Sequence, residues 1–335
     1  MKNDNLSLSA YAFGYGCGFI QDDRSDAADL TKMTLEDLSA ISVKYELGGV
    51  EIPVDKYFGG EQFKDLVPYI LRLKSLNLRL IFALEVFKSE FFEKIAPIVK
   101  HYGNAFVRVK ICNFYGGNRY NIPAYKTDLE EFRQQMIQAI EQIDKYGIKI
   151  LIENHQDITL EDIFDLVREF GANRIGVNWD TGNSFPTGET VQSFLTKTKH
   201  LIGNVHLKDY KVQLTSEGYV MNRCTLGNGI VDFEYLISEL LQQNPNIPFT
   251  IELGAMNGRE AHVNKEIYWE YTKGISLAER KNLIDYISSK AENDADLSSP
   301  WERKSSPQEI LEYEMSEVID SIVYIKELLL KNENN

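Results

Sequence analysis

Four largely apolar, strand-length runs each deliver a group that can hold a cation. Ile148 to Ile152 leads into Glu153, Ile175 to Trp179 into Asp180, Asn204-Val205 into His206, and Phe249 to Ile251 into Glu252. Three carboxylates and one imidazole make a hard, mostly oxygen donor set, which favours Mn2+ and also admits Mg2+, Co2+ or Zn2+. One such residue alone is better explained as an ion pair or a helix cap; four at equivalent places are not. A second imidazole follows the first carboxylate, in Glu153-Asn154-His155. Side chains alternate across a strand, so Glu153 and His155 share one face while Asn154 points the other way. A carboxylate and an imidazole so placed can both bind a metal, or divide metal binding and base work between them.

These groups can meet only if the chain keeps returning to one place. Strand-length apolar runs alternate with amphipathic stretches of helical length from end to end, the pattern of parallel βα units. Strands are expected to end near Tyr11-Ala12-Phe13-Gly14 and to cover Gly49 to Pro53, Leu78 to Leu84, Ala105 to Ile111, Ile148 to Glu153, Arg174 to Asp180, Asn204 to Asp209 and Phe249 to Gly254. Helical spacing is expected from Leu30 to Val43, capped by Thr34 or Thr31, and over Glu61 to Ser75, Phe91 to Val99, Asp128 to Tyr146, Leu160 to Phe170, Phe194 to Leu201 and Phe233 to Leu241. Eight strands and seven intervening helices in about 250 residues imply an α/β fold of the (β/α)8 kind, whose catalytic groups gather at the C-terminal ends of the strands. The expected division is a barrel over 1–256 and a C-terminal extension over 257–335. Within the extension, 257–306 would cover the barrel mouth or meet a partner, and Pro307 to Leu330 would form a last outer helix.

Parity assigns further inward groups. Val107, Val109 and Ile111 share one face of the fourth strand, leaving Arg108 and Lys110 to face a substrate or to pair with Glu51 or Glu85. Lys208 shares the parity of His206 and is expected in the site as a substrate contact, whereas Asp209 points away as a structural hydrogen-bonding residue. Gly227-Asn228-Gly229 has the composition of an anion-cradling loop. Tyr11, Phe13 and Tyr15 form a stripe suited to stacking on a ligand or to packing.

Composition bounds the partners. With 335 residues, 43% hydrophobic content and a net charge of −14, the chain reads as a globular protein that repels polyphosphate backbones, so nucleic acid is not an expected partner. No stretch approaches the roughly 20 apolar residues that cross a bilayer. Met1-Lys2-Asn3-Asp4 lacks a signal-peptide pattern, which makes the cytoplasm the expected location. Cys17, Cys112 and Cys224 are widely spaced and odd in number, and suggest neither a disulfide framework nor a zinc ribbon.

Glu153-Asn154-His155, Trp179-Asp180-Thr181-Gly182-Asn183, Val205-His206-Leu207-Lys208-Asp209, the run from Leu226 to Asp232 and Ile251-Glu252 together resemble the xylose-isomerase-like TIM-barrel superfamily over about residues 45–255. That group includes sugar isomerases, ketose 3-epimerases, sugar dehydratases and DNA-repair enzymes of the endonuclease IV type. The resemblance implies a metal held by Glu153, Asp180, His206 and Glu252 against a sugar carbonyl or hydroxyl. Such a cation polarises the carbonyl and stabilises the enediolate formed when a neighbouring proton is removed.

Departures from the family pattern sort the outcomes. Ketose 3-epimerases usually carry a histidine where this chain has Asn183, and an arginine shortly after the strand-seven histidine, where it has Lys208, Asp209 and Lys211. The repair enzymes bind several zinc ions through many histidines, and only five are present here, including His101, His200 and His262. The Glu153-Asn154-His155 and Lys208-Asp209 motifs with the long aromatic extension are most similar to the large subunits of bacterial C-glycoside deglycosidases. That likeness implies a lyase acting on 3-oxo-C-glucosides, with Mn2+, His155 as general base and a small β-sandwich subunit as partner in a hetero-oligomer; a homo-oligomer is the alternative. The rival enzyme reading is a sugar or sugar-phosphate isomerase or ketose 3-epimerase in which Glu153 and Glu252 exchange the proton. The rival outside catalysis is a sugar-binding barrel.

Overall fold

The computed structural model describes residues 3–24, 32–117, 122–254, 256–272 and 274–333. Its framework begins with β1 (Asn3–Ser9), followed by α1 (Leu35–Lys44), β2 (Leu47–Pro53), the short α2 (Val54–Tyr57), α3 (Leu66–Ser75), β3 (Arg79–Leu84), α4 (Ser89–His101), β4 (Phe106–Val109) and α5 (Ile122–Tyr146). It continues through β5 (Lys149–Glu153), α6 (Leu160–Phe170), β6 (Ile175–Asp180), α7 (Val191–Thr198), β7 (Ile202–Leu207), a hairpin of β8 (Tyr210–Thr215) and β9 (Gly218–Arg223), α8 (Phe233–Gln243) and β10 (Phe249–Ile251). Beyond lie β11 (Arg259–Ala261), α9 (Glu266–Glu270), α10 (Leu277–Lys290) and α11 (Pro307–Glu333).

The strands β1, β10, β7, β6, β5, β4, β3 and β2 neighbour one another in that order and close into a parallel barrel. Every residue of β2 and β6 is buried, as strands covered by helices outside and packed side chains inside require. The helices bury one face each. In α6 that face is Leu160, Ile163, Leu166 and Phe170, and the helix is started by the Thr159 side chain, which accepts the Asp162 N–H. In α1, Thr34 and Asp37 cap each other's backbone reciprocally. The alternative cap Thr31 and the expected helix start at Leu30 lie outside the described residues.

Some elements differ from their sequence reading. β1 stops at Ser9, because the Ser9 hydroxyl turns to accept the Tyr11 N–H and sends Ala10–Phe13 into a 3-10 turn. α5 starts at Ile122 rather than near Asp128, since Pro123 in the first turn costs no intrahelical bond. α7 starts at Val191, where Thr190 caps it by accepting the Ser193 N–H.

The stretch after β7, to which the sequence assigned no element before the helix at Phe233, is an antiparallel hairpin that β11 widens into a three-stranded sheet. α11 packs against α8 and β10. Its Glu314 accepts the backbone N–H groups of Tyr15 and Gly16 at 2.8 and 2.9 Å, and its Glu317 accepts from Arg223 Nε at 2.8 Å. Arg223 in turn donates to the Gly254 carbonyl at 2.7 Å.

Candidate metal centre and catalytic pocket

Glu153 and Asp180 are the last residues of β5 and β6, His206 lies in β7, and Glu252 follows β10 directly. Those four strands are consecutive in the ring, so the side chains converge from one half of its rim. One donor atom from each lies within 4.8 Å of the other three. All four residues are buried.

Buried carboxylates are costly without partners. Arg108 Nη2 bonds Glu153 Oε2, and Lys208 Nζ bonds Asp180 Oδ2 and, at 3.1 Å, Glu252 Oε1. His206 Nε2 stands 2.9 Å from Glu51 Oε2, which leaves Nδ1 facing Glu252 Oε2 at 3.1 Å and Glu153 Oε2 at 3.9 Å. Glu51, Glu153, Asp180 and Glu252 set four carboxylates against the two fixed positive charges of Arg108 and Lys208, so with His206 neutral, as a metal ligand must be, one divalent cation would balance the remainder. Glu153 Oε1 is buried with no hydrogen-bond partner, and His206 Nδ1 faces only carboxylates of the cluster. The donor set, the charge deficit and these two atoms fit a hard divalent ion.

Electrostatics inside the cluster follow from the same contacts. Burial pushes the Asp180 carboxyl up to about 6 although Lys208 opposes it. Burial would also raise Glu153, but Arg108, His206 and His155 together outweigh it and hold the group below its usual range. Burial works against a charged His206, and Glu252 and Glu51 together overcome this and raise it well above its usual value.

Asn154, on the opposite face as its parity requires, fixes the end of β6 by donating to the Asp180 carbonyl at 2.9 Å and accepting the Asp180 N–H at 2.6 Å. Asn183, which stands where ketose 3-epimerases usually have histidine, donates to Asp180 Oδ2 at 2.7 Å. This holds the carboxylate in place.

The tetrad lies against a cavity of about 600 Å3 whose wall includes His155, Lys208, Arg108 and Lys110. His155 Nδ1 lies 3.1 Å from Asp157 Oδ2, so Nε2 is the ring nitrogen left for a ligand. All three expected substrate contacts reach the cavity, but their charges are already engaged. Arg108 pairs with Glu153 rather than with Glu51 or Glu85, Lys208 lies on Asp180 and Glu252, and Lys110 Nζ is 3.6 Å from Glu85.

Asp209 is structural, as its parity suggests. Its carboxylate accepts the N–H groups of Tyr210, Gly227, Gly229 and Val231 at 2.9, 3.0, 2.9 and 3.0 Å. The anion cradled by Gly227-Asn228-Gly229 is therefore the chain's own. Of the aromatic stripe, Tyr11 lines the cavity, Phe13 is core, and Tyr15 donates to Asp22 at 2.7 Å. His262 lies 2.9 Å from Glu260.

Sequence reasoning missed Glu51 as the partner of His206, and it missed Asp157, Gln156, Tyr210 and Arg259 at the pocket. Gln156 ties Tyr210 to Asn183 by donating to Asn183 at 3.0 Å and to the Tyr210 hydroxyl at 2.9 Å. The parity of β2 could have revealed Glu51, since it is the single acid in an otherwise apolar strand. Nothing local marks Arg259, which enters from a separate sheet.

A family model described as xylose isomerase-like TIM barrel matches residues 11–271. The chain belongs to this family. Its sugar isomerases, epimerases and a decarboxylase make the xylose isomerase-like barrels a sugar-processing enzyme group. The 3-oxo-isoapionate decarboxylase of Pectobacterium atrosepticum is 22% identical over 135 residues, 40% of this chain and 49% of that protein, so the chain spans about half the length of that curated relative. Among solved structures, an L-ribulose 3-epimerase has a TM-score of 0.53 at 11% identity, covering 98% of this chain and 95% of its own. The 3-keto-D-glucoside 4-epimerase of E. coli, in its apo form, has a TM-score of 0.51 at 12% identity, covering 80% and 98%. At such identities these structures establish the shared fold alone. No helix among the described residues is long and apolar enough to cross a membrane.

Proposed function

We propose that the protein is a divalent-metal-dependent lyase that removes the proton next to a sugar carbonyl and releases an aglycone from 3-oxo-C-glucosides. The observation that carries this reading is the pairing of the buried Glu153–Asp180–His206–Glu252 cluster with His155 on the wall of the same cavity. A divalent cation, with Mn2+ the best match to the donors, would polarise the sugar carbonyl and acidify the adjacent C–H.

His155 takes that proton. Asp157 holds Nδ1, so Nε2 acts, and the C–H electron pair forms the C1–C2 double bond as the bond from C1 to the aglycone breaks. The departing carbon keeps the bonding pair and takes up a proton. Arg108 makes Glu153 a poor competitor for the base role by engaging one oxygen and depressing its basicity. The 3-oxo substrate in the name of the Pectobacterium relative agrees with a carbonyl beside the reacting carbon.

The second reading is a 3-epimerase or isomerase in which Glu153 and Glu252 exchange the proton, favoured by the free Oε1 of Glu153. Turnover in D2O separates the two: the lyase releases aglycone, whereas the rival returns labelled sugar without release. We extend the lyase reading to a small second subunit, tested by co-purification from the native source.

A further inference from the structure

The inner half of the cavity calls for a cation, but its mouth calls for an anion. Arg259, at the start of β11, reaches Tyr115 in the segment after β4. β10, which precedes Arg259, lies opposite β4 in the ring, so this contact spans the mouth. The guanidinium carbon is 3.8 Å from the Tyr115 ring centroid, and among the described residues no carboxylate or carbonyl takes its N–H groups. Tyr115 in turn meets the His155 ring edge-on, with centroids 5.3 Å apart. Lys56, in α2, is a second cation lining the same cavity, with Nζ 3.8 Å from the Phe19 ring centroid and likewise no acidic partner among the described residues.

The carboxylates nearby are already satisfied. Asp55 accepts the N–H groups of Glu85 and Val86 at 3.0 and 3.1 Å, and Glu85 accepts from the Tyr11 hydroxyl and lies 3.6 Å from Lys110. Stacking uses the face of a guanidinium and leaves its in-plane N–H fork open, the geometry that grips a carboxylate or phosphate through two parallel bonds. A cavity of about 600 Å3 also has room beyond a single sugar ring.

Resting on the sugar-carbonyl reading above, we infer that the substrate carries an anionic group, a carboxylate or a phosphate, which Arg259 clamps at the mouth with Lys56 as second cation. The carbonyl end of the same molecule faces Glu153, Asp180, His206 and Glu252.

Calorimetric titration of the full chain loaded with Mn2+, using D-glucose, D-glucuronate and D-glucose 6-phosphate, tests this. One charged probe is expected to bind about 10- to 100-fold more tightly than D-glucose, the strength of a charge-assisted contact, and which one it is identifies the group. Arg259→Gln should abolish most of that preference and Lys56→Gln part of it, without a matching change for D-glucose or in Mn2+ affinity. Equal binding of the three probes, binding of none, or a preference that survives both substitutions overturns the inference. If the preference stands but the affinity of every probe, D-glucose included, is the same with and without Mn2+, the anion clamp is upheld and the metal-dependent reading is what fails.

Discussion

Asp157 Oδ2 lies 3.1 Å from His155 Nδ1 and also accepts the Phe114 N–H at 2.8 Å, so the imidazole is oriented by a carboxylate that the backbone has already fixed. This arrangement selects the tautomer with Nε2 unprotonated and available. His155→Asn is expected to abolish turnover with the metal content unchanged, and Asp157→Asn to lower kcat by about 10- to 100-fold while KM moves little. Activity surviving in His155→Asn would remove His155 from the base role.

Glu51 fixes the other imidazole, His206, through Nε2. Glu51→Gln is expected to weaken Mn2+ binding by about 10- to 100-fold, because the partner of a metal-binding histidine sets ring orientation and basicity. Titration of the metal-free protein with Mn2+, followed by paramagnetic resonance of the free ion, measures it. Unchanged affinity would show that Nδ1 of His206 is not a ligand.

Asp209 gathers four backbone N–H groups from two segments, and burial pushes its carboxyl up to about 6 although those four bonds oppose it. Asp209→Ala leaves those donors without an acceptor and is expected to cost about 2–4 kcal/mol in urea unfolding. A loss below about 0.5 kcal/mol would show that water replaces the carboxylate without penalty.

Glu189 supplies a pH dependence. Burial raises its carboxyl to about 7 although Lys197 Nζ lies 2.8 Å away and bridges on to Glu279, also at 2.8 Å. The folded protein therefore keeps a proton that the unfolded chain has released between about pH 4.5 and 7, and stability falls as pH climbs through that interval. Glu189→Gln should flatten this slope by about 1–3 kcal/mol between pH 5 and 8, read from urea midpoints. Glu279 behaves oppositely: its bond to Lys197 lowers it to about 2, so its contribution is lost only as pH drops below the ordinary carboxylate range. An unaltered slope in Glu189→Gln would assign the titration to another group.

The barrel was legible because each strand is an apolar run and each helix has its own face, and both periodicities are local. The metal cluster was legible for a related reason: Glu153, Asp180, His206 and Glu252 each sit where an apolar run stops, and parallel strands in one ring bring such ends together. Contacts across the ring were not legible. Glu51 reaches His206 over 155 positions of sequence, and Arg108 chose Glu153 over two other acids because register and burial, not spacing, decided the pairing. The hairpin was missed although its signal was local: Tyr210, Val212 and Leu214 alternate with polar residues, and Ser216-Glu217 turns the chain so that Val212 faces Met221 and Leu214 faces Tyr219.

The hold of α11 on Tyr15, Gly16 and, through Arg223, the Gly254 carbonyl has a consequence for the birth of the molecule. A nascent chain that has not yet delivered Glu314 and Glu317 has its ring of strands but an unset lip on the side of β1 and β10. Ligand capture on the ribosome should therefore await the final helix.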